Sequence, residues 1–521
     1  MAAQASNDTG MKPTLGLTGV TINAMALIAP GAFLWTTFAS QSVTGATSMW
    51  ASVFVATVIA LLTAIAYASL ARRYPEAGTG SSYYFAEASV LHKEEHKHFR
   101  FARLSKFIVG WASHIYYWVY PGVMVAFMGN VIAYMIQFFD PSFGTPLQLI
   151  IICVVFAAIV GAIAFIGVNG STMANIVINV IQILALLVFG VIAIIFRLQH
   201  PELNYVHPNA GSVLIPHNFN DLLFQSTIAI LLVVGFESAT ALAAESKNPQ
   251  RDIPRGVILS LIIQAVIFYF FEYFAANFVV GDYYTAKDAT GHTITGFAAA
   301  GGATAPIGDI ARFIGDKMFG GGTAFAAILA LTVVIALVGT ALSCLNTGVR
   351  VTYAMGKDSE LPFVFGFLHG KYRTPHVGVI VLTVISAIIG AYGVLNVNNL
   401  TQVALISNIG TFILYGMTCI ICIIAFASVP KRGLFSTLIA PLLGAILNIG
   451  MLLGVIYYAI TQGGSAQTNI IIAAVFSVIW LVFGFAFLFG RKLISGVPIL
   501  HPEDYKAKQV SDETNVSISA E

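Results

Sequence analysis

The chain has 521 residues, 58% hydrophobic and 9% charged, with a formal net charge of +2 and a mean hydropathy of +0.85. These values exclude a soluble globular protein and describe an integral membrane protein. The near-neutral charge, with no dense basic stretch, excludes a nucleic-acid partner and leaves the lipid bilayer as the main surrounding.

A bilayer-spanning helix needs about 20 mostly apolar residues, and on that ruler twelve are predicted. They fall at approximately 18–40, 49–71, 104–136, 147–168, 172–197, 221–246, 254–281, 323–354, 376–394, 399–427, 434–461 and 469–490. The polar residues before the first span lack the short apolar core and small-residue cleavage site of a signal peptide, so none is expected. The first span is interrupted at Ala29-Pro30-Gly31-Ala32. The inner run HKEEHKHFR, with His92, His96 and His98, reads as a solvated loop rather than a metal site. The third and eighth spans are long enough to imply tilt or projection beyond the bilayer. The sixth carries Gly235-Phe236-Glu237-Ser238 near its middle, a helix weakener and a carboxylate where lipid forbids both. The outer loop from Asp282 to Gly322 holds a mildly amphipathic stretch, Ile307 to Phe313, expected to form a short lid. Cys153, Cys344, Cys419 and Cys422 all lie in apolar stretches, so packing is expected for the Cys419/Cys422 CxxC rather than a disulfide or metal site. The polar tail from Leu500 reads as a disordered end.

Placing both termini inside puts 21 of the 25 basic residues on the cytoplasmic side, leaving Arg197, Lys287, Arg312 and Lys317 outside. That asymmetry obeys the positive-inside rule and requires an even number of spans.

A broken membrane helix is tolerated only where its freed backbone groups face protein or water, and two such breaks point to a transporter site at mid-depth. Span 1 runs inward to outward and span 6 the reverse, so each break exposes the N-terminus of its second half-helix. Each end carries unpaired N–H groups and roughly half a unit of positive charge, suited to a substrate carboxylate. The opposite ends present carbonyls to an ammonium or a cation. Pro30 has no N–H, which leaves Gly31, Ala32 and Phe33 as donors at the first break; the plain alternative is that Pro30 only kinks a packed helix. Glu237 either receives a substrate amine, trades a proton, or ties the broken helix to a neighbour; ionised at the bilayer centre it costs about 3 kcal/mol and must face inward. Phe236 either covers the substrate or packs. Glu272 in span 7 is a coupling candidate or a link to a neighbouring polar residue, and His114 in span 3 is a substrate-binding or coupling candidate or a satisfied core residue. Ser343, Asn346, Ser407 and Asn408 are polar positions on spans 8 and 10 that complete a site or glue helices together.

The run GFESATALAAESKNPQRDIPRG, Gly235 to Gly256, resembles the sixth-helix signature of the amino acid-polyamine-organocation superfamily. The inner loop RRYPEAGTGSSYYFAEA, Arg72 to Ala88, resembles its second-to-third helix linker, and LNTGVRVTYAMGKDSELP with YRTPHVGV its eighth-helix exit and lead into the ninth. ISNIGTFILYG, Ile406 to Gly416, is a fainter match to the tenth helix. The resemblance implies an all-α membrane protein of the leucine-transporter type, a five-plus-five inverted repeat with discontinuous helices 1 and 6. Its parts are a cytoplasmic tail 1–15, a first repeat 16–198, an inverted repeat 221–427, appended helices 434–490 and a tail 491–521. It implies alternating access for amino acids or amines, with exchange or coupling to H+ or Na+. Two departures stand out. The family's first break commonly reads Gly-Ser-Gly, where this chain has Ala29, Pro30 and Gly31; and the helix-5 lysine that replaces sodium in some members is missing from Ser171 to Phe196.

The expected protein is therefore a plasma-membrane amino acid permease with both termini cytoplasmic, with a polyamine or other organic amine as the alternative substrate. No cofactor or metal is expected. The chain has no HExxH and no convincing Ser/His or Cys/His pairing, so an intramembrane hydrolase is not indicated.

Overall fold

Twelve helical segments in the computed structural model are long and apolar enough to cross a membrane. The structure describes residues 14–29, 32–43, 47–75, 80–94, 99–167, 172–287, 291–358, 360–430 and 432–495. The spans, numbered 1 to 12, are Leu17–Ser42, Met49–Arg73, Ala102–Ile136, Pro146–Ile166, Ile176–Gln199, Phe219–Ala243, Pro249–Val279, Gly322–Lys357, His376–Gly393, Val397–Phe426, Phe435–Thr461 and Gly464–Gly490. The sequence-predicted spans match these within a few residues. Span 6 is the central one, with 94% of its apolar window buried against 22% for span 12. Around the rim, Ile151, Val155 and Ile159 of span 4, Ile380, Val384 and Ile388 of span 9, and Val478, Ile479 and Val482 of span 12 are exposed where lipid belongs.

Span 1 is two helices, 1a (Leu17–Ile28) and 1b (Ala32–Ser42). Span 6 runs as an α-helix, 6a (Phe219–Ala229), then a tight turn of 3-10 helix and an open turn, and resumes as 3-10 helix in 6b (Phe236–Glu245). Two further irregularities were not predicted. Span 3 steps at Trp118–Val119, just before Pro121, whose missing N–H suits the start of the second segment Tyr120–Ile136. Span 7 contains a π-helical stretch, Ile263–Tyr269.

The protein is mostly helical, with one small exception. The loop before span 8 begins with a small hairpin, Thr285–Lys287 antiparallel to Thr293–Thr295, where β-branched threonines flank the turn. Two helices follow, Gly296–Gly302 and Pro306–Phe319. The amphipathic stretch expected as a lid lies in the second, burying Ile307, Ile310, Ala311 and Ile314. Both helices seat on span 1b: a Cβ on Gly308 would come within 2.5 Å of the Trp35 ring, and one on Gly301 within 2.8 Å of Ser42 O.

One end of the bundle is closed by ion pairs. Lys106 of span 3 pairs with Glu87 at 3.0 Å and Asp358 at 2.8 Å, and Arg103 with Glu360 at 2.9 Å. They join the short helix Ser82–Glu94 and span 3 to the end of span 8. Thr14 and Leu15 bond Glu245 O at 2.9 Å, Lys247 N donates to Leu15 O at 2.8 Å, and Arg350 reaches Glu245 at 3.4 Å.

Candidate functional site

The two breaks meet. Gly235 has φ +120°, and a Cβ there would lie 2.4 Å from Leu27 Cδ2 and 3.1 Å from Ile28 Cγ1, so the turn of span 6 packs directly on the end of span 1a. Glycine answers both demands, the left-handed backbone and the close approach. On the other side Ala29 is itself left-handed, φ 43° and ψ 71°, which ends span 1a. Ala32 N then bonds Ala29 O at 3.2 Å as span 1b begins. Pro30 and Gly31 lie outside the described residues.

Glu237 points back into the break it follows. Its Oε2 accepts from Gly235 N at 3.0 Å and from the Tyr415 hydroxyl of span 10 at 2.7 Å. Oε1 is buried with no hydrogen-bond partner among the described residues, and the whole residue is 1% exposed. The carboxyl thus occupies the positive end of span 6b, where an external carboxylate was one expected occupant. That leaves the start of span 1b, where Ala32 N already bonds Ala29 O and Phe33 follows, as the other helix N-terminus at the breaks. Ser238 caps its own turn, Oγ to Gly235 O at 2.6 Å.

Tyrosines surround the acid. Tyr415 of span 10 bonds it, Tyr67 of span 2 meets Tyr415 edge-on at 6.0 Å, and in span 3 the ring of Tyr116 lies 4.6 Å from Tyr117 and 5.1 Å from Tyr120. Phe33 stacks on Tyr120 with centroids 6.4 Å apart and meets Phe127 edge-on at 6.2 Å. Phe236, the gate-or-packing residue, lies between Tyr415 at 5.2 Å and Tyr67 at 5.9 Å. Below them the Tyr67 hydroxyl lies 2.6 Å from Ser82 Oγ, which lies 2.8 Å from Thr418 Oγ1, and Thr240 of span 6b reaches Ser81 at 3.0 Å. Phe33, Phe236 and Glu237 are all within 1% of complete burial, so the site is occluded.

The remaining predicted residues divide. Ser407 is buried with its hydroxyl unpartnered among the described residues, one turn before the stretch carrying Thr411 and Tyr415. Asn408 donates to Thr227 O at 2.7 Å, which satisfies a carbonyl near the end of span 6a. Ser343 and Asn346 are half-buried on span 8. His114 does not join the acid: its ring bonds Gly110 O at 2.5 Å and Thr352 Oγ1 at 3.2 Å and packs on Trp118 at 4.9 Å, which faces Trp480 of span 12. Glu272 shares none of Glu237's partners; it is fully buried and both its oxygens lack a hydrogen bond among the described residues. Among the described residues no group of three or more His, Cys, Asp or Glu could hold a metal ion. Sequence reading missed the tyrosines. Their signal was the run YYWVY in span 3, whose Tyr116 and Tyr120 share one face at a four-residue spacing.

Twelve spans, two broken helices in contact and a buried acid between them define, as a class, a membrane transporter. The chain belongs to the amino acid permease family, whose model matches residues 19–495; this lies within the superfamily that the Gly235–Gly256 signature resembles. Its members are transporters rather than enzymes. Similar proteins include the branched-chain amino acid permease BcaP of Bacillus subtilis (strain 168), 22% identical over 81% of this chain and 83% of that one. The low-affinity putrescine importer PlaP of Escherichia coli (strain K12) is 26% identical over 78% of this chain and 82% of its own. The methylthioribose transporter of Bacillus subtilis (strain 168) is 25% identical over half of each chain.

Proposed function

We propose that the protein is a plasma-membrane permease for amino acids, with both termini cytoplasmic, working by alternating access. Spans 1–5 (residues 16–198) and 6–10 (221–427) form the two inverted repeats, spans 11 and 12 (434–490) are appended, and residues 1–15 and 491–521 are tails. The observation that carries this reading is the contact of the two breaks around Glu237. The substrate amine takes the free Oε1 of Glu237 within the tyrosine wall, where ring faces favour a cation. The substrate carboxylate takes the N-terminus of span 1b at Phe33, since Glu237 already neutralises that of span 6b and Ala32 N is held by Ala29 O. Ser407, Ser343 and Asn346 face the side chain, and Phe236 shuts the inward exit with Tyr67 and Tyr415.

A polyamine is the second reading, favoured by the similarity to a putrescine importer. It is weaker because a diamine wants two acids in one site, and Glu272 is not among the partners of Glu237. Counterflow in liposomes with an amino acid and its decarboxylated partner separates the two. Competition by the amino acid is expected; competition by the amine alone would reject the first reading.

A further inference from the structure

The loop that follows span 5 is clamped across one end of the bundle. Asn204 to Val206 run beside the end of span 7, with Asp282 N donating to Asn204 O at 2.8 Å and Val206 N to Val280 O at 2.9 Å. The next residue, His207, is a junction. Its carbonyl accepts from Arg197 of span 5, whose guanidinium also serves Phe278 O. Its ring, 1% exposed, meets Phe297 edge-on at 5.8 Å and lies 5.7 Å from the ring of His217. Phe297, in the helix Gly296–Gly302, lies in turn 6.0 Å from Phe38 of span 1b. His217 N donates at 2.9 Å to Ser48 Oγ, just before span 2. One imidazole thus joins the ends of four spans to the cover that seats on span 1b. Its Nε2 is buried without a hydrogen-bond partner among the described residues.

That setting suits a neutral ring and refuses a cation. Protonated, Nε2 becomes a donor with no acceptor, and a buried charge without a counter-ion is driven toward water. The charges that act on the ring are His217 and Arg197, and both oppose the proton. The acids of the adjoining segments are engaged, Glu202 with His200 at 2.9 Å and Asp282 with Thr295 at 3.2 Å, while Lys287 of the hairpin turns to Thr293 at 2.8 Å. Ser48 and Phe297 bring no charge. We propose that His207 is an acid-operated latch: protonated from the side of the membrane that it faces, it leaves its seat, and the helix Gly296–Gly302 lifts from Phe38 of span 1b. On the permease reading, on which this part alone rests, the lift opens the site at Phe33 to the outside. While the cover is shut, burial first and His217 second pull the imidazole from 6.5 down to about 4. Released into water it regains the higher value, so the shut form binds fewer protons and loses ground as pH falls from 6.5 toward 4. Those two values raise the ratio of open to shut about 20-fold between pH 7 and pH 5. Asp309 of the next helix works the other way. Burial raises its carboxyl, to which the Tyr284 hydroxyl donates at 3.0 Å, so acid favours the shut cover there.

His207→Asn separates the two contributions. Opening is read in the full-length protein in detergent, as the rate at which a bulky hydrophilic maleimide labels Ala299→Cys, a position 0% exposed in the helix Gly296–Gly302. The natural cysteines are all buried. Labelling of Gly302→Cys, where a Cβ meets nothing within 4 Å, corrects for the pH dependence of the thiol itself. The corrected Ala299→Cys rate is divided by the rate in the same protein carrying His207→Asn, which cancels Asp309. That quotient is expected to rise about 20-fold from pH 7 to pH 5. A rise of less than about threefold, or a fall, overturns the latch. If His207→Asn does not fold, His207→Phe keeps a ring beside Phe297 and is read the same way. The labelling needs neither a substrate nor a membrane. A flat quotient therefore rejects the latch alone, and absence of counterflow rejects the permease reading alone.

Discussion

Glu237 and His114 look alike in sequence, each an ionisable residue deep in an apolar span, yet their surroundings differ in kind. Glu237 keeps one oxygen bare inside a ring of tyrosines, whereas both nitrogens of His114 are engaged within its own corner of spans 3 and 8. Glu237→Gln is expected to lower initial uptake about 100-fold, since a charge-assisted contact to an ammonium is worth roughly 2–3 kcal/mol. Tyr415→Phe removes the 2.7 Å hydrogen bond that orients the acid and is expected to cost about fivefold, as a neutral partner does. His114→Gln should leave uptake within about twofold and its pH profile unchanged. A His114 variant as damaging as Glu237→Gln would show that the site extends toward span 12, and would undo the division drawn here.

At the scale of the element, the breaks survive because other elements take up the groups they free. Unpaired backbone groups in a dry interior cost several kcal/mol each, and spans 7, 8 and 10 supply donors through Tyr269, Thr340 and Asn408. Span 6b runs as 3-10 helix rather than the α-helix that its composition favours. Its start is pinned by Gly235, and Thr240 is tied to Ser81, just before the helix Ser82–Glu94. Gly235→Ala meets both a left-handed backbone and the Leu27 side chain. A loss on the order of 3 kcal/mol is expected from strain and overpacking together, seen as a lowered unfolding temperature with uptake near background. A Gly235→Ala protein as stable and active as the parent would mean that the two breaks need not touch.

For the whole molecule, span 1b is covered by the loop before span 8, while ion pairs tie span 3 to the end of span 8. The loop that holds His207 carries a pH dependence. Burial, with His217 beside it and Arg197 nearby, pulls the imidazole of His207 down to about 4; the rings of His207 and His217 lie 5.7 Å apart. A histidine depressed in the folded state binds its proton first in the unfolded one, so it costs stability as pH falls from the ordinary histidine value toward 4. The unfolding temperature should therefore drop between pH 7 and pH 5, and His207→Asn should flatten that slope. An unchanged slope would locate the acid sensitivity elsewhere.

What could be read from the chain alone was whatever violates the rules of lipid as a solvent. A span announces itself by about 20 apolar residues, and a glycine or acid inside one is visible without knowing what lies beside it. Hence the twelve spans, the two breaks and Glu237 were all legible, as was the family through its local signature. The tyrosine wall was not, because Tyr67, Tyr120 and Tyr415 stand on three spans far apart in sequence, and each alone is an ordinary core aromatic. Nor were the donors to span 1a, for any buried Gln, Thr or Tyr reads as helix glue until its partner is known. Which side chain satisfies which freed carbonyl depends on which helices meet and at what depth. That is a property of packing between distant segments, and only the tertiary structure decides it.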